Sequence, residues 1–505
     1  MKNHRKIGIS VASVAVTAVM LAGCGAGGGG ESVADSKSVT WMTILHTPAT
    51  PDKNGPIETA IEDTTGYDID FQWVPAANAS EKLTAAISSD TLADVVTING
   101  LGLTSSVIRK ALTSGQFWDV TDYLDDYPNL SAVMNDQVRR DASIDGRLFG
   151  MPQVKEKARY GVLVRQDWLD NLGLEVPHTI DELADVARAF ANDDPDGNGE
   201  DDTTGFYDRL ESFDLGFRSL TGYFGAGNVF EVNENDEIVA SFGTDAFTEA
   251  MEWYRELYED GAVNNEFVTV QKQNQYDAIA QDKGGIVVTG LFEARGFQAL
   301  AESANPDTTM EWALVNDLTH GDVPRRALSD TAGGIGGWYV FPKSEVKDED
   351  ELRAMLDFVD KMNSEEVYNI MTNGIEGEHY ELTGDGDVET IDEAMWTQEV
   401  QPFQSSRITQ NLVHYPTSTA YVNEAAEKMA EQEEFVVTNI AQSLSSDTYD
   451  ARWSEVLAEA KDAYNKYIVG QIDMAGYHAV IDKLRAGDLG KIEAEYTTAY
   501  AGSND

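Results

Sequence analysis

The sequence predicts an α/β fold of two domains, with a last third that is rich in helices. Strand and helix patterns alternate over the first 100 residues, which is typical of βαβ units on a parallel sheet. The full chain has 505 residues, which is more than a single hydrophobic core usually supports. Beyond residue 347, most of the chain shows the spacing of apolar residues that is typical of amphipathic helices.

The first segment has the pattern of a secretory signal. Lys2, Arg5 and Lys6 precede an apolar run over residues 7–21, which is too short for a membrane-spanning helix. The run ends in Leu-Ala-Gly-Cys, which resembles the bacterial lipobox, in which the cysteine becomes the lipidated first residue. Cys24 is the only cysteine, so an internal disulfide is excluded. An ordinary signal with a chance cysteine is the alternative.

A glycine-rich tether follows the cysteine. Residues 25–30 are Gly-Ala-Gly-Gly-Gly-Gly, and such sequences behave as flexible linkers. We therefore predict a signal peptide over 1–23 and a lipid-anchored tether over 24–37. The protein would lie on the extracellular face of the bacterial cell membrane, anchored through Cys24.

The chain is strongly acidic, with 88 acidic and 36 basic residues and a formal net charge of −52. Such a surface repels nucleic acid and anionic lipid, and we expect neither as a partner. It also argues weakly against a polyanionic ligand, unless a local basic cleft overrules it. The alternative is that the charge only keeps an exposed protein soluble.

The alternation begins with a strand at 38–45, which contains Trp41, and continues with a helix, a strand at 67–74, a second helix and a strand at 92–98. Ligands of parallel sheets bind at the carboxyl ends of the strands. His46 and Asn99 directly follow two of these strands, so we predict that they line a binding site. Ordinary turn residues are an equally good interpretation of both loops.

An acidic loop follows the next long helix, whose start carries a capping box of Thr179 and Glu182. The segment "DDPDGNGEDD" places oxygen ligands at the first, third and fifth positions of an EF-hand loop, a glycine at the sixth and a carbonyl at the seventh. These residues are Asp194, Asp196, Asn198, Gly199 and Glu200. Gly205 replaces the bidentate glutamate at the twelfth position, and Asp202 or Asp201 would supply the missing oxygens. We predict a structural calcium ion here; a solvated acidic turn is the alternative.

Catalytic motifs are absent from the sequence. It contains no His-Glu-x-x-His, Gly-x-Ser-x-Gly or P-loop pattern, and its seven histidines show no metal-binding spacing. A glycosidase needs only a pair of carboxylates, and no spacing among the acidic residues singles one out. We therefore predict a binding protein and not an enzyme.

Aromatic residues suggest a carbohydrate ligand, because sugar rings stack on aromatic faces through their C–H groups. Trp338 ends the segment "GGIGGW", in which glycines would let a ligand approach the backbone. We predict that Trp338 is the stacking platform and that Trp41 also contacts the ligand. Core packing is the alternative for each tryptophan. The polar partners that we expect are His46, Asn99, Gln153, Glu293 and Arg295.

Five segments occur in the order "FGMPQ", "VRQDWLDNLGLEVPHTIDEL", "DDPDGNGEDD", "GGWYVFPKS" and "NGIEGEHYEL". Together they resemble the family 1 extracellular solute-binding lipoproteins of ABC importers, and in particular the large calcium-containing subgroup that binds alginate and fructo-oligosaccharides. The resemblance extends from Cys24 to the C-terminal "YTTAYA". A secreted, calcium-stabilised glycoside hydrolase or polysaccharide lyase and a peptide-binding receptor are the alternative functions.

The resemblance implies a two-lobed, periplasmic-binding-protein-like fold of type II that captures an oligosaccharide between its lobes and delivers it to a membrane permease. We expect a monomer. The implied calcium ligands are Asp194, Asp196, Asn198, Glu200 through its carbonyl, and Asp202, while Thr203 replaces a glutamate that relatives usually have. We assign 38–149 and 295–335 to the N-terminal lobe, and 150–294 and 336–505 to the C-terminal lobe with the calcium loop 194–203. The crossings between the lobes are expected near 149–153, 289–296 and 333–342.

Overall fold

The structure, a computed structural model, describes residues 37–47, 50–99, 106–144, 146–410 and 412–503. The predicted signal peptide, Cys24 and all of the tether except its last residue lie outside the described residues. In the part of the chain that is described, none of the helices has the length and apolar character needed to cross a membrane.

The strands belong to two main sheets and three small two-stranded ones. In chain order they are β1 (Lys37–Leu45), β2 (Tyr67–Pro75), β3 (Val95–Asn99), β4 (Met151–Val154), β5 (Tyr160–Arg165), β6 (Thr204–Phe206), β7 (Phe230–Val232), β8 (Ile238–Ala240), β9 (Gly284–Gly290), β10 (Trp312–Val315), β11 (Ala327–Leu328), β12 (Ile335–Val340), β13 (Tyr380–Leu382), β14 (Val388–Thr390) and β15 (Val436–Val437).

The helices cover the faces of these sheets and fill most of the chain after β12. They are α1 (Pro56–Thr65), α2 (Ala79–Ser89), α3 (Ser106–Thr113), α4 (Pro128–Val133), α5 (Asp136–Ala142), α6 (Gln166–Leu172), α7 (Ile180–Asn192), α8 (Gly216–Thr221), α9 (Asp245–Glu259), α10 (Lys272–Ile279), α11 (Ala294–Ala304), α12 (Glu349–Met362), α13 (Glu365–Asn373), α14 (Glu393–Glu399), α15 (Gln401–Gln404), α16 (Val422–Gln432), α17 (Asp447–Ile468), α18 (Met474–Arg485) and α19 (Asp488–Ser503).

The first lobe is built on the five-stranded sheet β2-β1-β3-β12-β4. Strand β1 pairs in parallel with β2 and β3, as the alternation of strands and helices predicts. Strand β12 enters between β3 and β4 and runs antiparallel to both. Side chains from α1, α12 and α13 pack with this sheet in one hydrophobic core, which contains Trp41, Trp338 and Phe358.

The second lobe is built on the four-stranded sheet β10-β5-β9-β6. Strand β9 is antiparallel to β5 and parallel to β6. Its largest core joins α6, α7 and α9 to α17, α18 and α19, with Trp168 and Trp453 fully buried. A smaller cluster on the sheet contains Leu163, Phe297 and Trp312. The predicted capping box at the start of α7 is present, since Thr179 Oγ1 accepts from Glu182 N at 3.1 Å and Glu182 accepts from Thr179 N.

Two of the predicted lobe segments differ from this distribution. Residues 295–335 were assigned to the first lobe, but β10 pairs with β5 in the second sheet. The whole of 336–505 is predicted for the second lobe, but β12 pairs with β3 and β4, and Leu352 and Phe403 join the first core. A local apolar pattern identifies a strand, but it does not identify the sheet that the strand joins.

The chain passes between the two sheets three times, over 155–159, 329–334 and 405–421. The expected crossing at 289–296 is wrong, because β9, the following turn and α11 all remain in the second lobe. The third crossing lies instead in the helical part of the chain, where no strand pattern indicates a change of lobe.

Candidate binding cleft

A cavity of about 1320 Å³ lies between the two sheets and is lined by residues of both lobes. His46 and Asn99 reach it from the carboxyl ends of β1 and β3, as predicted. Phe292 and Glu293 reach it from the turn after β9 on the other lobe. The volume exceeds the usual 300–1,000 Å³ of sites for single small molecules, so the cavity has room for an extended ligand.

The imidazole of His46 is open to the cavity, and the cavity itself lies within the protein. Burial within the protein, together with the positive charges of Lys155 and Lys272, lowers the pKa of His46 to about 3. The ring is therefore neutral at physiological pH, with one nitrogen that donates and one that accepts. A neutral imidazole of this kind suits a ligand that carries hydroxyl groups.

Glu293 is buried at the edge of the cavity and holds a cation. Its carboxylate accepts hydrogen bonds from Lys272 Nζ at 2.7 Å and from Thr289 Oγ1 at 2.8 Å. Burial alone would raise the pKa of Glu293, but the charges of Lys272 and Arg209 outweigh it and lower the pKa to about 2. Glu293 therefore stays ionised and fixes Lys272 beside the cavity.

Arg295 lies at the cavity but is already held by the opposite lobe. Its guanidinium donates to Glu393 at 3.0 and 3.2 Å and lies 3.6 Å from the centre of the Trp396 ring. Glu393 and Trp396 belong to α14 of the first lobe. Arg295 thus joins the two lobes, and its predicted contact with a ligand would use the donors that remain.

Gln153 also lies at the cavity, in strand β4 just before the first crossing. Its Nε2 donates to the carbonyls of Ser405 and Arg407, both at 2.8 Å. These bonds attach β4 to the third crossing segment. The amide nitrogen is therefore committed to the hinge region, and only the oxygen would remain for a ligand.

Trp41 and Trp338 do not have the exposure that the predicted ligand contacts require. Trp41 is 1% exposed and donates its Nε1 hydrogen to Thr97 Oγ1 at 3.0 Å. Trp338 is 5% exposed and donates to the carbonyl of Ala142 at 3.2 Å. The two side chains leave interior strands on opposite faces of the sheet, Trp41 toward Phe358 of α12 and Trp338 toward Ala142 of α5. Trp338 borders the cavity, but at these exposures neither ring offers a free face, so the structure does not favour the predicted stacking on Trp338 or the predicted contact of Trp41.

Two of the glycines before Trp338 are required by close contacts within the protein. A Cβ atom on Gly337 would lie 2.3 Å from the carbonyl oxygen of Ile98. A Cβ atom on Gly336 would lie 2.4 Å from the side chain of Lys155, which crosses the strand at that point. The glycines thus allow β12 to fit between its neighbours and leave space for the lysine.

Phe292 has the exposure that the tryptophans lack, and the sequence analysis did not identify it. The ring lines the cavity and is 44% exposed. The guanidinium of Arg159 lies 5.3 Å from the ring centre, and Asp330 holds that guanidinium at 2.6 and 2.9 Å. Its position directly after the apolar strand "GGIVVTG" was the available signal, because strand ends face this cleft.

The acidic loop after α7 is held together by hydrogen bonds to its own side-chain oxygen atoms. Asn198 Nδ2 lies 2.8 Å from Asp196 Oδ2 and 3.3 Å from Asp202 Oδ1. The amide of Gly199 donates to the carboxylate of Asp194 at 3.1 Å. Burial raises the pKa of Asp196, and the neighbouring carboxylates of Asp194 and Asp202 add to this effect.

The donor set of the loop fits calcium, which prefers six to eight oxygen ligands. Asp202 is shared with the ammonium of Lys283, which donates to its carboxylate. Thr203 does not contribute, because its hydroxyl is buried and donates to the carbonyl of Phe190 at 2.8 Å. The hydroxyl of Thr203 is thus bonded to the last turn of α7 and is not arranged as a metal ligand.

A second group of acidic and histidine side chains lies in the segment "NGIEGEHYEL". Among the described residues, Glu378, His379 and Glu399 bring their side-chain ligand atoms within 4.8 Å of one another. His379 is fully buried, its Nδ1 accepts from Ile375 N at 3.2 Å, and its Nε2 lies 3.3 Å from Glu399 Oε2. With Nδ1 accepting, Nε2 carries the hydrogen and donates to the glutamate. The group therefore works as a hydrogen-bonded support of the β13–β14 region.

Comparison with known proteins gives consistent matches over most of the chain. Residues 49–368 match the profile of the family described as bacterial extracellular solute-binding protein. The polygalacturonan/rhamnogalacturonan-binding protein YtcQ of Bacillus subtilis is 32% identical over 476 residues, which is 93% of this chain and 93% of YtcQ.

Two solved structures are similar along the whole described chain. The alginate-binding protein AlgQ2 without calcium ion has a TM-score of 0.69 and 19% identity, covering 93% of this chain and 99% of its own. The Streptococcus pneumoniae ABC-transporter substrate-binding protein FusA, as an EF-hand mutant in complex with fructo-nystose, has a TM-score of 0.68, 19% identity and the same coverage. At these identities the similarity shows the fold, and it confirms the predicted two-lobed α/β architecture of type II.

Proposed function

Because the chain belongs to the bacterial extracellular solute-binding proteins, we propose that it captures an oligosaccharide in the cleft between its lobes. The observation that carries the proposal is the cavity itself. It offers one exposed aromatic ring, Phe292, opposite neutral hydrogen-bonding groups, His46 and Asn99, at the strand ends of the other lobe. Stacking and hydrogen bonding from opposite sides are what a sugar requires.

The names of the relatives support this class of ligand. YtcQ is named for polygalacturonan and rhamnogalacturonan, AlgQ2 for alginate, and FusA was solved with fructo-nystose. These sugars differ in ring type and charge, so the relatives support the class and not one sugar. They are binding proteins, which favours a receptor over a hydrolase or lyase for this chain.

The receptor would deliver its ligand to the permease of an ABC importer, as FusA is named a substrate-binding protein of an ABC transporter. We propose that Cys24 is lipidated and holds the protein at the outer face of the cell membrane. The basic start, the apolar run and the Leu-Ala-Gly-Cys ending support this proposal. A Cys24→Ala variant should then be released into the medium, while the wild type stays with the membrane fraction.

We further propose that the loop 194–202 holds a structural calcium ion. Asp194, Asp196, Asn198 and Asp202 would contribute side-chain oxygens, and Glu200 would contribute its carbonyl. The close approach of the oxygen atoms of Asp194, Asp196 and Asp202 in this turn supports the proposal, as does the EF-hand named for FusA. The ion would fix the loop between α7 and β6 of the second lobe.

The proposed function can be tested by calorimetric titration of the purified protein with a panel of neutral and acidic oligosaccharides. We expect at least one member to bind, and chromatography after long incubation should recover it unchanged. Shortened products would favour the hydrolase or lyase. Binding of cationic peptides, with no member of the sugar panel bound, would favour the peptide receptor.

A further inference from the structure

The cleft concentrates positive charge in a chain that has 88 acidic residues and only 36 basic ones. Lys155, Arg218 and Arg407 all line the cavity. None of the ion pairs among the described residues includes any of these three cations. Because carboxylates are so abundant in this chain, the lack of a carboxylate partner for three cations in one cavity calls for an explanation.

Arg218 projects from α8 of the second lobe. Its Nη1 donates to Asn228 Oδ1 at 3.2 Å and its Nη2 to the carbonyl of Ser329 at 3.3 Å, which are long bonds to neutral acceptors. Its Nε is buried and has no acceptor among the described atoms. Burial lowers the pKa of Arg218, so the protein holds this charge at a cost.

Arg407 lies on the third crossing segment, against α13 of the first lobe. It donates to the carbonyl of Gln404 at 3.0 Å and to Thr372 Oγ1 at 2.7 Å, and its guanidinium lies 4.8 Å from the centre of the Tyr368 ring. All of these partners are neutral. Burial lowers the pKa of Arg407 as well.

Lys155 lies on the first crossing, where its aliphatic chain passes over Gly336. Burial lowers its pKa to about 7, and the charges of Arg159 and Arg407 contribute. Asp330 is the acid that raises the pKa of Lys155 most, but its carboxylate already accepts two hydrogen bonds from Arg159. Lys155 thus has like charges around it and an acid that is engaged elsewhere.

We propose that the ligand of this cleft is an acidic oligosaccharide whose sugar carboxylates pair with Lys155, Arg218 and Arg407. This inference rests on the proposed oligosaccharide-receptor function and specifies the chemical class of the ligand. A neutral sugar would leave all three cations without a carboxylate in hydrogen-bond contact, whereas sugar carboxylates would form charge-assisted hydrogen bonds with them. The acidic surface does not oppose this, because the local field of a cleft acts on the bound ligand at short range.

The arrangement of the cations favours singly charged groups that are spaced along a chain. They come from three separate elements, namely α8 of the second lobe and two different crossing segments. A ligand with one carboxylate on each sugar ring would therefore contact both lobes and the connections between them. Uronic acid oligomers have this chemistry.

The test is calorimetry on the full-length protein with uronate trimers, including trigalacturonate, with fully methyl-esterified trigalacturonate and with the neutral trisaccharide kestose. We expect a uronate trimer to bind, its affinity to fall with added salt, and the ester to bind at least about tenfold more weakly. Equal or tighter binding of the ester or of kestose would overturn the acidic ligand and leave the oligosaccharide receptor intact. If no sugar of either kind binds, both proposals fail.

Variants identify the residues. Lys155→Gln and Arg218→Gln should each weaken the uronate at least about tenfold and reduce the difference between the acid and its ester. Lys343→Gln removes the same charge from an exposed residue outside the cavity and should bind as the wild type does. Melting curves establish that each variant is folded. Folded Lys155→Gln and Arg218→Gln proteins with wild-type uronate affinity would contradict the assignment, and Lys155→Arg should restore binding if the charge is what matters.

Discussion

At the level of single residues, Phe292 and Trp338 differ in exposure, which decides whether a ring can stack on a sugar. Phe292 leaves nearly half of its surface in the cavity, whereas Trp338 fills a core position and bonds to a backbone carbonyl. Removing either ring should thus affect a different measurable quantity, namely affinity in one case and stability in the other.

We expect Phe292→Ala to weaken oligosaccharide binding about tenfold or more and to leave the melting temperature near that of the wild type. Trp338→Ala should instead lower the free energy of unfolding by about 3–5 kcal/mol, because it opens a cavity in the core of the first lobe. Calorimetry and thermal melts on both variants check the pair. An unaffected affinity in Phe292→Ala would remove this ring from the binding site.

Lys155 gives a prediction about pH, because its pKa falls from 10.5 to about 7 on folding. Between these values the unfolded chain binds more protons than the folded protein, so stability rises as the pH increases through this window. Lys155→Met removes the penalty of burying a charged lysine beside Arg159 and Arg407. The carboxylates of Asp330 and Glu156 offset that penalty only in part. The variant should stabilise the ligand-free protein by about 1–2 kcal/mol at pH 6, and by much less at pH 10.

Denaturant titrations of the wild type and Lys155→Met at pH 6, 8 and 10 measure this effect. Lys343→Met is the matched control and should show no such dependence on pH. A Lys155→Met protein that is less stable than the wild type at pH 6 would show that the ammonium contributes packing or bonding that outweighs its burial.

The sequence identified cavity residues where a local rule placed them. His46 and Asn99 could be predicted because they directly follow strands of a parallel sheet. Trp41 and Trp338 could not be separated from ligand contacts, since which face of a strand is covered depends on helices far away in the chain. Phe292 was missed for the same reason, because exposure is a property of the assembled lobe. The cations became conspicuous only when their neighbours were known.

At the level of elements, the same distinction holds between local and distant information. The capping box of α7, the β1–α1–β2 alternation and the long C-terminal helices follow from short stretches of sequence. The insertion of β12 between β3 and β4 depends on pairing with residues more than 180 positions earlier in β4 and more than 230 positions earlier in β3, and no local pattern specifies it. The lobe boundaries were misplaced because they depend on this pairing.

The loop between α7 and β6 carries the calcium prediction. Asp194→Asn combined with Asp196→Asn should lower the melting temperature in calcium buffer to that of chelator-treated wild type. Ion binding to the folded state alone stabilises by about 3 kcal/mol when calcium is at about one hundred times its dissociation constant. Differential scanning calorimetry with calcium and with chelator measures both values.

The control for this experiment carries the same change of charge elsewhere. Asp307 and Asp322 are exposed, and a variant with asparagine at both should melt as the wild type does in both buffers. If the chelator leaves the melting temperature of the wild type unchanged, the loop is an acidic turn without a structural ion.

At the level of the whole molecule, two ion pairs among the described residues connect the lobes. Arg109 of α3 pairs with Asp450 of α17, and Arg295 of α11 pairs with Glu393 of α14. The arginines are largely buried and the carboxylates are about one-third exposed, so solvent screens each pair only in part. Together they favour the arrangement in which the lobes enclose the cavity.

We expect the double variant Asp450→Asn, Glu393→Gln to bind its ligand several-fold more weakly, because closing the lobes gains less free energy. Small-angle X-ray scattering of the ligand-free variant should give a larger radius of gyration than the wild type has. Asp70→Asn breaks a pair within the first lobe, Lys53–Asp70, and should change neither quantity. A double variant with unchanged affinity and radius would show that the pairs do not influence closure.

The three crossings also constrain when the protein can fold during its synthesis and export. Strand β4 has β12 as its partner in the first sheet, and β12 emerges from the ribosome or translocon more than 180 residues later. The core of the second lobe waits still longer, since it includes helices that end at residue 503. The first lobe therefore cannot complete itself before Ile408 is available, and the second lobe needs nearly the whole chain. Such long-range topologies fold slowly. A chain that stays unfolded for so long can still pass through a secretion channel, since such a channel admits unfolded chains.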